Sequence, residues 1–458
     1  MSNRKRTLIF LNLIITVLSS SLLATAMVVA LPHIAADLNV SLALGQWVTS
    51  GFTLVSALIM PLSAYLIIRI TTKRLYLASL AVIIVGLSIC ATAQTFPIMM
   101  GGRVLQAASG GIISAMAQVI LLSIYPKEKL GSVMGWYGLA MGGGPVIAPT
   151  VAGILMDLYS WRLVFVVSIV LMVFALICAV IIFDDFLPNS VRKFDMKSFT
   201  LSALAFGGLT LGAGNMSNYG ILDPFSYVPL FIGLITGIVF VRLQLTMSVP
   251  LLDLSLLKNK TFALATVSGM LHSFVMMGAG ILMPTLVQTV YMYSPTKAGI
   301  FMLLPAICFA VASPIAGKIY DKFGIRNLYI FSAAGLFLSS WIMVFAKETM
   351  PILVVMMLYC LRNGSLGVLL MPLTTWGMSA LPREQTAQGT AVMNSLRNVS
   401  GAIGTAVVIG FMAMVSNMTA DTGHAVMYGF NGAFGFVGVF TIVMLVIAIF
   451  LVKPGKAE

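Results

Sequence analysis

The sequence predicts an all-α membrane protein with fourteen transmembrane helices, and three observations carry that expectation. Residues are 60% hydrophobic and only 9% charged, with a mean hydropathy of +1.05, whereas soluble domains carry about 25% charged residues. An ionised side chain at the bilayer centre costs roughly 2.5–3.5 kcal/mol on insertion scales, so long uncharged stretches are what lipid selects. Windows of about 20 apolar residues then place helices near 8–30, 45–67, 75–94, 98–124, 132–155, 162–183, 198–217, 226–246, 262–284, 297–319, 328–346, 350–377, 388–414 and 428–452. The third observation is the placement of charge. Of the 26 Lys and Arg residues, only Arg162, Lys297 and Lys347 fall in the loops of one side, and Arg103, Arg362 and Arg397 fall inside helices. All the others, from Arg4, Lys5 and Arg6 to Lys453 and Lys456, collect on the other side. One missed helix would scramble that alternation. The bias predicts a multi-pass protein of the inner (plasma) membrane with both termini cytoplasmic. It also accounts for the net charge of +13 without a nucleic-acid partner.

Taken in order, the first apolar run, Leu8 to Leu31, is too long for the h-region of a signal peptide and lacks a small-residue cleavage pattern. It is expected to stay as the first helix. The four cysteines, Cys90, Cys178, Cys308 and Cys360, all fall inside expected helices without paired or metal-ligand spacing, and read as small apolar packing residues. Comparison of the chain with itself shows a repeat. Ala30-Leu31-Pro32, Ser41 and Pro61-Leu62-Ser63-Ala64 are echoed by Leu282-Met283-Pro284, Ser294 and Pro314-Ile315-Ala316-Gly317, 252 to 253 residues downstream. Arg103 and Arg362 are each the lone arginine in the fourth helix of their unit. The plan is therefore an N-terminal six-helix bundle over 1–184, a linker with two inserted transmembrane helices over 185–257, and a C-terminal six-helix bundle over 258–458. Such duplicated halves commonly hold a substrate site between them near the midplane. The inserted pair includes the Gly- and Asn-rich interruption from Gly212 to Asn218, where the apolar pattern defines its spans least sharply.

Three motifs stand out. The loop after the tenth helix runs Gly317-Lys318-Ile319-Tyr320-Asp321-Lys322-Phe323-Gly324-Ile325-Arg326. Its glycines permit a tight turn and close helix contact. A short carboxylate at a helix end can cap orphan amides or pair with an arginine, latching helix ends together. The first-half copy is degenerate, with Ile68, Thr71 and Lys73 at the positions of the aspartate, the second glycine and the terminal base. In the fourth helix Arg103, Gln106 and Gly110 share a face, and an intramembrane arginine must face a partner or a cavity. In the fifth helix Gly138, Gly142, Gly143, Gly144, Pro145, Pro149 and Gly153 form a small-residue, bend-prone surface that lets another backbone approach.

The loop from Gly317 to Arg326 resembles the cytoplasmic gating loop of the major facilitator superfamily. The Arg103 stretch resembles that of its fourth helix, and Gly143, Gly144, Pro145, Pro149 and Gly153 resemble the antiporter motif of its exporters. With Ala30-Leu31-Pro32-His33-Ile34, Ser160-Trp161-Arg162, Met371-Pro372-Leu373 and the helix count, the chain is similar over residues 8 to 452 to the fourteen-helix drug:proton antiporter branch, the multidrug exporters. The resemblance implies a major facilitator fold, two six-helix bundles plus two inserted helices, and efflux by alternating access with protons as coupling ion. In that branch the first helix usually carries an acid and an asparagine; here Leu23 and Val28 stand at those positions.

All thirteen Asp and Glu residues fall in expected loops or helix ends, leaving no midplane carboxylate to bind a strongly cationic drug or shuttle a proton. What remains inside is basic: Arg103, Arg362, Arg397 and His272. His272 alone has an ordinary pKa near physiological pH and is the candidate proton carrier. Asn394, Arg397 and Asn398, with Arg362, suggest a second-half polar surface, on which an anionic, zwitterionic or neutral amphiphile fits better than a quaternary ammonium compound. Gln106 and Arg103 complete the expected substrate and proton pathway. No G-x-x-x-x-G-K-S/T phosphate loop occurs, so ATP is not the direct energy source. His33, His272 and His424 are scattered, without the convergent acids, nucleophile or metal ligands an enzyme needs. The expectation is a monomeric, cofactor-free exporter of hydrophobic or amphipathic small molecules, such as antibiotics. The alternative is a uniporter or dedicated exporter of an anionic or lipid-like metabolite.

Overall fold

The structure, a computed structural model, describes residues 2–187, 194–220, 223–280, 282–293, 295–419 and 424–453; the side chains of 25, 42–43, 145–147, 149–151, 153, 157–158, 217–219 and 295–296 lie outside that description. Within it the protein is all-helical. The long helices are α1 (Asn3–Asp37), α2 (Trp47–Arg69), α3 (Thr72–Ala91), α4 (Phe96–Ile124), α5 (Leu130–Leu158), α6 (Arg162–Ile182) and α7 (Met196–Tyr219). They continue with α8 (Pro224–Thr246), α9 (Lys260–Gly278), α10 (Pro295–Phe323), α11 (Ile325–Val344), α12 (Ile352–Ser379), α13 (Thr386–Met418) and α14 (Ala425–Val446). A short helix, Leu282–Thr289, follows α9.

Twelve of these helices, not the expected fourteen, are long and apolar enough to cross a membrane among the described residues. The two left out are α5 and α7. In α7 the glycines Gly207, Gly208, Gly212 and Gly214 and the amide of Asn215 dilute the apolar run. In α5 the stretch from Pro145 to Gly153 includes side chains outside the description.

Local chemistry sets the helix ends. Asp223 caps α8, its carboxylate accepting from Phe225 N, and Asn259 caps α9, accepting from the amides of Thr261 and Phe262. Gly324 has φ of 75° between α10 and α11, a backbone that only glycine adopts without strain. In the degenerate first copy Thr71 sits in extended backbone at φ of −61°, so the glycine there was dispensable.

Two apolar cores form. One draws on α1 to α6 with Phe262, Met371, Met378 and Met393, and the other on α9 to α14. Ion pairs cross-link the ends. At the end that holds Lys5, the Lys5 ammonium pairs with Asp184; that hydrogen bond holds the Asp184 carboxyl below the usual carboxylate range. At the opposite end Arg162 pairs with Asp37 at 2.5 Å, donates to the Ala93 carbonyl at 2.8 Å and stacks on Trp161. The Ser-Trp-Arg phrase therefore ties α1 and α3 to the start of α6.

The helices α7 and α8 pack along their whole length, from Gln244 donating to Ser198 at one end, through Gly208 against Gly233, to Asn215 donating to the Phe225 carbonyl at the other. On its other faces α7 touches both α2 and α13, with Leu58 of α2 against Gly207. From α8 the chain returns by a strap. Gln244 Oε1 accepts from Leu251 N (2.7 Å) and Leu252 N (3.1 Å), while Gln388 of α13 accepts from Asp253 N (3.1 Å) and donates to the Leu251 carbonyl (3.3 Å). Gln388 is buried. An unsatisfied buried polar group costs about 1–3 kcal/mol. Gln388→Leu, which strands two backbone groups, should destabilise the protein by about 2–4 kcal/mol, read as a lowered thermal midpoint in detergent. An unchanged midpoint would mean that the strap is not held through Gln388.

Candidate functional site

At the end that holds Lys5, α10 and α5 are in backbone contact. A Cβ at Gly317 would overlap the Gly131 carbonyl, and one at Gly135 would lie 2.7 Å from the Ser313 carbonyl. Further along, Gly138 faces Ser313 and Met371, and Gly142 faces Phe309. This close approach delivers Asp321, in the last turn of α10, to the first turn of α5. Its carboxylate accepts from Gly131 N at 2.7 Å, from Ser132 N at 2.8 Å and from the Ser132 hydroxyl. The first amides of a helix have no intrahelical acceptor, and the helix dipole favours an anion there. Asp321 is thus a cap supplied by another helix. Among the described residues it has no ion-pair partner: of its two expected functions, the structure shows the amide cap and not the arginine pair. Lys318 and Lys322 are exposed, and Arg326 donates to the Ile449 carbonyl at 3.4 Å.

The two fourth-position arginines sit in matching places. Arg103 Nε donates to the Val48 carbonyl (2.9 Å) and Nη1 to Gln106 Oε1 (2.9 Å), with the guanidinium over Phe52. Gln106 in turn donates to the Gly86 carbonyl at 3.0 Å. Arg362 donates to the Ser340 hydroxyl (3.1 Å) and the Val275 carbonyl (2.6 Å). Each arginine is fully buried and joins its helix to two neighbours, α2 and α3 in one case, α9 and α11 in the other. Gly110, on the expected Arg103 face, meets open space.

A separate polar cluster lies where α4, α5, α9, α12 and α13 converge. Asn394 Nδ2 donates to Gln118 Oε1 at 3.0 Å, Tyr137 donates to the Ser114 carbonyl at 3.2 Å, and Arg397 Nη1 donates to the Thr374 hydroxyl at 3.2 Å. The Arg397 stem lies on Gly269 of α9. One turn along α9, His272 Nε2 is 2.9 Å from the Leu366 carbonyl, which only accepts, so this nitrogen carries the proton. Of the pathway residues expected from sequence, the structure brings Asn394, Arg397 and His272 to this region, and separates Arg103 with Gln106 from it.

The expected antiporter surface divides. Gly143 meets nothing, and a Cβ at Gly144 would press on Ser21 of α1. The side chains of Pro145 and Pro149, and Gly153, lie outside the description. Sequence reading overlooked Gly131, Ser132 and Gly135 in the clamp and Gln118, Tyr137 and Thr374 in the cluster. The four-residue spacing of Gly131 with Gly135, and the uncharged amide of Gln118 in an apolar stretch of α4, were the available signals. No His, Cys, Asp and Glu grouping able to hold a metal occurs among the described residues.

Comparison with known proteins gives a consistent family. The sequence profile of the Major Facilitator Superfamily matches residues 13–405. An uncharacterised MFS-type transporter of Bacillus subtilis, YcnB, is 32% identical over 94% of this chain and 92% of its own. The lincomycin resistance protein LmrB of the same organism is 30% identical over 85% of this chain and 82% of its own. Among solved structures, the proton:xylose symporter XylE superposes with a TM-score of 0.68 over 100% of this chain and 98% of its own, at 11% identity, a likeness of fold.

Proposed function

Because this chain belongs to the Major Facilitator Superfamily, and is therefore a multi-pass membrane transporter of a small molecule, we propose that it exports hydrophobic or amphipathic compounds, drug-like molecules among them, by proton-coupled alternating access. The observation that carries this reading is the Asp321 cap on α5. It closes one end of the helix assembly through contacts between separate helices, so that end can open without breaking either helix. The resemblance of the stretch over residues 143–153 to the motif of exporters and the similarity to a lincomycin resistance protein support efflux as the direction.

The same proposal includes the finer architecture. The helix α5 runs from the Asp321 cap at one end to the Arg162–Asp37 pair just beyond its other end, and α7 runs the full length of α8, which is apolar enough to span. Both then cross the bilayer, making fourteen spans: two six-helix bundles over 1–184 and 258–458, with the inserted pair over 185–257. The Asp321 end, which carries the excess of Lys and Arg, is cytoplasmic, and the protein works as a monomer.

For coupling, the candidate is His272, since none of the described carboxylates lies within the central cluster. Purified protein in liposomes, given a pH gradient and a panel of cationic, neutral and anionic amphiphiles including lincomycin, should move protons when substrate is added. His272→Ala should abolish that proton movement and leave substrate binding within about threefold. Proton-coupled transport persisting in His272→Ala would remove histidine as the carrier. Substrate flux without any proton movement would make the protein a uniporter or a differently coupled exporter, the second reading, favoured by the basic interior.

A further inference from the structure

Three arginines, Arg103, Arg362 and Arg397, lie well inside the membrane-spanning helices, away from their ends, and they are not equivalent. Arg103 and Arg362 are 1% and 2% exposed and each makes two hydrogen bonds to acceptors of its own half. Arg397 is half-buried, makes one bond, to a neutral hydroxyl, and its Nε is enclosed without any partner. A guanidinium carries five N–H donors in a rigid fork suited to a carboxylate or phosphate. A buried charge with no counter-charge is costly, and carbonyls or hydroxyls solvate it without neutralising it. Among the described residues, no carboxylate reaches Arg397.

The position of this unfilled charge matters as much as its state. Arg397 sits on α13, three residues from Asn394, whose amide crosses to Gln118 of α4. Its guanidinium is also within electrostatic reach of the Tyr137 hydroxyl on α5. Its one acceptor, Thr374, is three residues along α12 from Met371, which packs on Gly138, the residue after Tyr137. The site therefore combines one uncompensated positive charge with neutral hydrogen-bonding side chains, at the meeting place of helices from both halves.

From this we propose that Arg397 is the recognition point for the head group of the transported molecule, and that the substrate is an amphiphile bearing a single negative charge on a carboxylate or equivalent oxyanion. The fork of Arg397 engages two oxygens of the anion, and the half-buried Asn394 one turn away supplies a neutral polar contact. One cation selects one negative charge. A dianion would bring an unpaired charge into a low-dielectric site, and a quaternary ammonium would meet a like charge. The inference rests on the transport function proposed above, whose cargo class it narrows.

The test compares three probes of one skeleton: a dansylated long-chain carboxylate, its methyl ester and the corresponding amine. Binding to the full chain in nanodiscs and flux in proteoliposomes are both measured. Wild type should favour the carboxylate over the ester by at least about tenfold in each assay. Arg397→Met should remove that preference while ester binding stays put, and Arg397→Lys, which keeps the charge without the fork, should retain part of it. Equal losses for all three probes in Arg397→Met, with Arg397→Lys no better, would show a structural arginine and overturn the proposal. So would a wild-type preference for the amine or the ester. Arginine-dependent carboxylate binding without flux of any probe would leave the anion site standing and remove the transport reading, so the two can fail separately.

Discussion

Replacing Asp321 by alanine should slow transport about a hundredfold while the protein remains folded in the membrane. The carboxylate accepts from two backbone amides and one hydroxyl at the first turn of α5, and hydrogen bonds to a charged group are each worth about 1.5–3 kcal/mol net. These bonds exist only when the ends of α5 and α10 are together. Their loss therefore falls on one conformation, while each helix keeps its own packing. Water replaces part of the lost interaction, and a net penalty of about 3 kcal/mol on that conformation lowers its population about a hundredfold, at 1.4 kcal/mol per factor of ten. Asp321→Asn keeps the shape and one acceptor oxygen but not the charge, and should lie between, about tenfold below wild type. Initial efflux rates from loaded proteoliposomes, alongside thermal midpoints, separate slowed cycling from misfolding. Transport within twofold of wild type in Asp321→Ala would remove the cap from the mechanism.

Gly317→Val should be at least as damaging, by a different force. Any Cβ at this position overlaps the Gly131 carbonyl and lies 3.1 Å from Gly135 Cα. The obstacle is backbone at every point, so no side chain can swing away, and the cost should exceed the roughly 1–3 kcal/mol of ordinary overpacking. Again one conformation suffers. With a single cysteine introduced at Ser132, a membrane-impermeant thiol reagent should label both variants faster than the parent from the Asp321 side. Combining Asp321→Ala with Gly317→Val should add little to either alone, because both break one contact. Gly110→Ala, where the structure leaves open space, serves as the tolerant control. If Gly317→Val transports normally, the α5–α10 approach is not part of the cycle.

How much of this could be read from the chain depended on which partner carried the signal. Asp321 was identifiable because an acid among cations between two glycines is unusual, and Gly324 because its turn needs positive φ. The other half of the clamp was invisible: Gly131 and Ser132 contribute backbone amides, which every residue possesses. The same asymmetry applies to Arg103 and Arg362. Their presence inside helices was plain, but two of the four acceptors that settle how they pack are carbonyls of other helices. The apolar windows placed fourteen helices, of which twelve are long and apolar enough to span among the described residues. They separated poorly at α7, where glycines that let α8 approach also lower the hydropathy on which the reading rests. Gln118 and Asn394 are 276 positions apart, a distance at which no local pattern links them.

The placement of α7 bears on how a greasy molecule reaches the protein from the side. Where α2 meets α13, α7 lies against both, with α8 outside it presenting Phe225 and Ile238 to the surroundings at 68% and 57% exposure. Where α5 meets α10, neither α7 nor α8 intervenes. A lipid-dissolved compound arriving within the plane of the bilayer thus finds one seam roofed over and the other bare. Under the export proposed above, any entry from the leaflets is expected on the α5–α10 flank, and a bulky residue placed there should slow flux while one outside α8 should not.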